Sequence, residues 1–253
     1  MIAACAAVSP RVVVVTRTQG AALMPWLAAV PAVLHQGLAG QEAGNALADV
    51  LLGAVNPGGK LTVSFLASDA PSATWLPSDA QYPGILNATS NFYETLYNES
   101  LLVGYRFFDA TPQADAPLFS FGHGLSYSSF AYSALAVAGS VTPTSNATVS
   151  VTVTNGAAGP AGRDVAQLYV AGAGLPGDPV RTLKGFSPTG LLAPGGSATL
   201  TFTLTQAALS YYDESSAAWA PYASGSYALA VGASSRDLRL AGSVQVGAVT
   251  AAV

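Results

Sequence analysis

From residue 128 onward, apolar and polar side chains alternate one for one. Val149, Val151 and Val153 alternate with Ser150, Thr152 and Thr154. Leu200, Phe202 and Leu204 alternate with Thr199, Thr201 and Thr203, and Tyr227, Leu229 and Val231 repeat the pattern. A strand turns successive side chains to opposite faces, so a period of two demands sheets with one apolar and one wet face. Gly and Pro clusters separate the runs at regular intervals, which predicts an antiparallel β-sandwich over residues 128–248.

The first 66 residues follow a different rule and read as αβαβαβ. Val12 to Val15 form a continuous β-branched run, the pattern of a strand covered on both faces. Gly20 opens a short helix carrying Leu23, Trp26 and Leu27, and residues 30–34 make a second strand. Glu42 places a negative charge in the first turn of a third helix, where the helix dipole favours it. Ala46, Leu47, Val50 and Leu51 give that helix one apolar stripe, and Gly53 ends it. Asn56-Pro57-Gly58-Gly59 is a turn, and Leu61 to Phe65 alternate as a closing strand. Strands alternating with helices imply a parallel sheet. Three strands leave bare edges, so the segment reads as the end of a larger domain. Residues 67–127, rich in Pro, Ser and aromatics, read as a connecting loop.

The bulk numbers narrow the function. The 253 residues fit one large or two ordinary domains, and 51% hydrophobic content against 9% charged excludes disorder. A net charge of -4 with nine basic residues argues against a nucleic-acid partner. Cys5 is the single cysteine, so no internal disulfide and no cysteine-based metal site is expected. Residues 21–34 are interrupted by Pro25 and Pro31 and fall short of the roughly 20 residues that span a bilayer, so no membrane partner is expected. The Ala-rich start lacks the basic region of a signal peptide and reads as a helix ending before Pro10. Asn87, Asn98 and Asn146 each begin a glycosylation sequon, which points to an extracellular or cell-wall parent protein.

The string Gly40-Gln41-Glu42, Gly44, Ala48-Asp49-Val50-Leu51, Gly53 and Asn56-Pro57-Gly58-Gly59-Lys60-Leu61 resembles the second domain of family 3 glycoside hydrolases, the β-glucosidase and β-xylosidase group. Val103-Gly104-Tyr105-Arg106 and Phe121-Gly122-His123-Gly124-Leu125-Ser126-Tyr127 resemble the segments that leave that domain. Asp164 to Val170, Leu183-Lys184-Gly185-Phe186, Tyr212-Asp213 and residues 231–237 resemble the fibronectin type III-like domain that closes many such enzymes. The resemblance implies an α/β plus all-β chain: a partial parallel α/β sandwich domain (1–66), an aromatic connecting loop (67–127) and an antiparallel fibronectin III-like β-sandwich (128–248). It implies hydrolysis of O-glycosyl bonds in carbohydrate, with no cofactor and with a catalytic barrel domain as partner.

Hydrolysis of a glycosidic bond needs two carboxyl groups, about 5 to 5.5 Å apart when configuration is retained. The resemblance puts the nucleophilic Asp on the barrel and the acid/base Glu on a loop preceding the helix that opens this chain. Met1 is therefore expected downstream of both, no catalytic residue is expected here, and the chain alone should be inactive. The alternative is a non-catalytic surface or carbohydrate-contacting module. Substrate-pocket candidates are Glu94 and Glu99 beside Tyr93 and Tyr97, because sugar sites set carboxylates among aromatics. The same aromatics also serve to pin a loop by buried area. Asp49 reads as a solvated or hydrogen-bonded structural residue, Asp213 as a turn residue, and Arg106 as a salt bridge to the sandwich. His123, between two glycines, reads as a packed residue rather than a metal ligand.

Overall fold

The computed structural model describes residues 1–68, 78–111 and 116–248. Parts of the expected connecting loop, 69–77 and 112–115, lie outside them. The chain divides into two compact units. One comprises Met1–Val55, Val63–Ser100 and Thr111–Ser120; the other comprises Asn56–Thr62, Leu101–Ala110 and Phe121–Val253.

In the first unit, helix α1 (Ile2–Val8) leads into β1 (Val13–Thr16), which pairs in parallel with β2 (Ala32–His35), Val13 opposite Ala32. The hydroxyl of Thr16 and Nδ1 of His35 meet at 3.0 Å across this pair. The helix expected from Gly20 is reduced to one 3-10 turn, Leu27–Ala29. Pro31 pushes the residue before it out of the helical region, and Val30 is extended at φ -127, ψ 140. Helix α2 (Ala43–Leu51) starts with Glu42 at its N-cap and stops before Gly53, whose φ of +76 suits glycine. A hairpin of β3 (Ile85–Asn87) and β4 (Phe92–Glu94) completes the described elements of this unit.

The closing strand expected over 61–65 does not form. Phe65 makes a single antiparallel bridge to Phe119. Within the second unit, Leu61 donates to the His123 carbonyl at 2.8 Å and accepts from Gly122 N–H at 2.7 Å. The alternation marked a segment that pairs by its backbone, but its partners are residues 119–123 rather than a parallel sheet.

The second unit is a sandwich. A three-stranded sheet runs β5 (Phe130–Ala138), β6 (Ala147–Asn155) and β9 (Ser197–Leu204) in the spatial order β5-β6-β9. The facing sheet has the order β13-β12-β7-β8, built from β7 (Val165–Ala171), β8 (Arg181–Pro188), β12 (Gly225–Gly232) and β13 (Leu238–Val246). A short hairpin, β10 (Ser210–Asp213) with β11 (Ala218–Pro221), lies between β9 and β12 in sequence. All pairings in both sheets are antiparallel. Val149, Val151, Val153, Leu200, Phe202, Leu204, Leu229 and Val231 point into one core. Their polar neighbours pair on the wet face, Thr152 with Thr199 and Thr154 with Ser197. The fold is thus α/β plus all-β, as the periodicities require.

Strand β7 departs from alternation. Ala166, Leu168 and Val170 enter the core, yet Gln167 and Tyr169 on its other face are also buried. Helix α3 (Tyr105–Ala110) and Phe121 supply that cover. The Tyr105 ring stacks on Phe121 at 5.0 Å and meets Tyr169 edge-on at 5.8 Å. The Tyr105 hydroxyl accepts the backbone N–H of Leu183.

Candidate functional site

The sugar-site candidates all lie in the first unit, on and after the β3–β4 hairpin. Tyr93 and Tyr97 are 65% and 78% exposed, so neither ring serves as core. Glu94 is also exposed, and its Oε1 accepts Asn87 Nδ2 at 2.5 Å. That bond engages the amide of one sequon, while Oδ1 of Asn87 caps the N–H groups of Thr89 and Ser90. Asn98 and Asn146 are exposed. Glu99 is half-buried, with Oε2 out of solvent and without a hydrogen-bond partner.

Three acids of the second unit, Asp109, Asp164 and Asp237, are paired with bases. Asp109 at the end of α3 accepts Arg181 Nη2 at 2.8 Å and lies 3.5 Å from Arg236 Nε. Burial pushes its carboxyl above the ordinary value, against the pull of Arg181 and Arg236. Arg236 also donates to the Phe108 carbonyl at 2.7 Å. The ionic tie between α3 and the sheet runs through Asp109 and Arg181, whereas Arg106, expected to make the salt bridge, lies over the Tyr105 ring at 6.0 Å. Asp213 closes the β10–β11 turn by accepting from the hydroxyls of Ser215 and Ser216, as its sequence position suggests. Asp49 is exposed on α2.

The densest polar constellation gathers around the string 56–62. Asn56 spends its whole amide on two loops: Nδ2 donates to Ser128 Oγ and the Ala161 carbonyl, and Oδ1 accepts from Ser126 Oγ and Tyr127 N–H. Lys60 Nζ reaches Asp164 Oδ1 and the Gly124 carbonyl, both at 2.8 Å. Asp164 also accepts its neighbour Val165 N–H and the Tyr132 hydroxyl, at 2.9 and 2.8 Å. Burial first, then the Asp164 charge, pushes the Tyr132 phenol far above its ordinary range. Close approach explains two glycines here. A Cβ at Gly124 would overlap the Gly59 carbonyl, and one at Gly122 would overlap the Gln167 amide. His123 sits between them, half-buried, its pKa lowered by burial and by Lys60 and raised back in part by Asp237. Asp237 and Arg239 pair in a fork, Nε to Oδ1 at 3.0 Å and Nη2 to Oδ2 at 2.7 Å. The Arg239 hydrogen bond holds the Asp237 carboxyl below its usual value. Among the described residues no group of three or more His, Cys, Asp or Glu is placed to hold a metal. Also among them, no helix is long and apolar enough to cross a membrane.

In sequence, Lys60 and Asp164 stood only within family strings and His123 read as a packed residue, so neither they nor Asp237 were expected as site residues. The available signal was an Asp opening an apolar strand, a position where a carboxylate needs a cation.

The profile of the glycosyl hydrolase family 3 C-terminal domain matches residues 1–127. The chain belongs to glycosyl hydrolase family 3. A fibronectin type III-like profile matches residues 164–235. The family 3 relatives include β-glucosidase B of Emericella nidulans, 41% identical over 98% of this chain and 28% of that protein. Another is the thermostable β-glucosidase B of Acetivibrio thermocellus, 40% identical over 97% of this chain and 31% of that protein. Among solved structures, a Streptomyces venezuelae β-glucosidase in complex with D-glucose superimposes with a TM-score of 0.85 at 36% identity, covering 97% of this chain and 30% of that one. A Bifidobacterium adolescentis family 3 β-glucosidase gives 0.83 at 33% identity, covering 97% and 34%. The chain thus spans about a third of the length of these relatives and matches their C-terminal part.

Proposed function

We propose that this chain is the non-catalytic C-terminal portion of a β-glucosidase-type enzyme that hydrolyses O-glycosyl bonds, and that the reacting carboxyl groups come from a catalytic barrel domain outside these residues. The observation that carries the reading is the state of the acids. Asp109, Asp164 and Asp237 are each paired with a base, and Asp213 is tied into a turn. A carboxylate whose oxygens already bond a cation or close a turn is committed to holding the fold. The chain acts as scaffold, with Tyr93, Glu94, Tyr97 and Glu99 as the part that reaches carbohydrate, and needs no cofactor. Carbohydrate metabolism outside the cell, or in its wall, suits the exposed sequon residues Asn98 and Asn146.

A second reading has its own support. The exposed Tyr93 and Tyr97 rings suit a carbohydrate-contacting module without catalysis. Incubating the purified chain with an aryl β-glucoside and an aryl β-xyloside separates chain and chemistry. No turnover above background is expected. Turnover abolished by Glu94→Gln or Glu99→Gln would overturn the proposal.

A further inference from the structure

The sandwich unit holds a cleft of about 260 Å³ whose lining includes none of the hairpin candidates. Its lining includes the ion pairs Lys60–Asp164 and Arg239–Asp237, together with His123, Ser129 and Leu125. Two cations face two carboxylates, so the lining carries no net charge once His123 is neutral. Burial first, then Lys60, lowers the pKa of that imidazole and so favours its neutral form.

The pairing leaves hydrogen-bonding capacity of both kinds. An ammonium has three N–H groups, and Gly124 and Asp164 take two of those of Lys60. A guanidinium has five, and the Asp237 carboxylate and the Phe130 carbonyl take three of those of Arg239. The Asp237 side chain stays 51% exposed, with lone pairs left after both Arg239 bonds. An anion offers only acceptors and an ammonium only donors, so each would use half of this lining and meet the like charge in it. Hydroxyl groups both donate and accept. Leu125, 79% exposed, adds an apolar edge at the cleft, suited to the C–H face of a ring. The volume lies just under the roughly 300–1,000 Å³ of drug-sized pockets, room for one ring and not for a chain.

We propose that this cleft binds a single neutral polyhydroxylated ring, a pyranose, through Lys60, Asp237 and Arg239, as a sugar site in the sandwich unit separate from the β3–β4 hairpin. The lining alone builds this site, whether or not the chain takes part in hydrolysis.

The test is amide NMR of the isotope-labelled full chain titrated with D-glucose. Saturable shifts confined to residues 123–129 and 234–239, with a Kd of roughly 1–10 mM, are expected. Asp237→Asn should weaken binding at least about tenfold, and the exposed Leu125→Ala about threefold, both with the dispersed spectrum retained. Should Asp237→Asn lose its fold, Leu125→Ala decides. Cellobiose shifting the same amides identifies the terminal residue of an oligosaccharide as the source; cellobiose excluded while glucose binds identifies a free monosaccharide. Either supports the site. Absence of localised shifts at saturating glucose overturns it. So does inorganic phosphate producing the same shifts at lower concentration than the sugar, and so does binding that ignores both substitutions.

Discussion

The two units were built to different standards of burial. In the sandwich, Val149, Val151, Val153, Leu168 and Val231 are each 0% exposed. In the α/β unit, β1 and β2 carry equally apolar side chains, yet none of their residues is fully buried and Val13 is 46% exposed. Helix α2 buries only Ala43. Composition is not the cause, since Val-rich strands occur in both. The difference is cover: each sandwich sheet closes the apolar face of the other, whereas β1 and β2 form a two-stranded sheet. Apolar sequence stabilises only where a second layer removes it from water.

Hydrogen exchange offers the largest contrast. Amides of β6 and β7 should exchange only through global opening, and those of β1 and β2 by local opening, several orders of magnitude faster. Equal protection in both would break the comparison. Next in size is the buried ion pair. Lys60→Met strands the Asp164 carboxylate and should lower the stability of the sandwich by about 3 kcal/mol, read by denaturant unfolding, while leaving β1–β2 exchange unchanged. Cavity formation should then differ by unit. Leu168→Ala should lower stability by about 2–5 kcal/mol, and Leu34→Ala on β2 by about 1 kcal/mol or less.

The smallest effect is a pH dependence. The folded-state pKa of His123 lies below the unfolded value near 6.5, so the unfolded chain binds the extra proton first. Its contribution to stability is complete above pH 6.5 and declines as pH falls towards the folded value. His123→Asn should flatten that slope in denaturant midpoints measured across this range. An unaltered slope would remove His123 as its source.

The strands that sequence revealed most clearly were those whose alternation is enforced by one wet and one dry face, such as β6 and β9. Strand β7 was visible as a strand, but not the burial of Gln167 and Tyr169, because their cover comes from Tyr105 and Phe121, distant in sequence. The helix expected at Gly20 failed because Pro31 and a short span outweighed the apolar spacing of Leu23, Trp26 and Leu27. Residues 61–65 alternate as strands do, yet no local rule names residues 119–123 as the partner. Among candidate site residues, Tyr93 and Tyr97 were legible by type. The Lys60, Asp164, Asp237 and Arg239 cluster was not, since three segments far apart in the chain supply it.

By itself, the sequence determined what is local and periodic: the faces of the sandwich strands, the end of α2 at Gly53 and the family. Tertiary structure alone decided which charges meet and which apolar residues stay wet. Backbone sterics and side-chain alternation act over a few residues, whereas ion pairing and desolvation depend on neighbours that only the folded chain brings within reach.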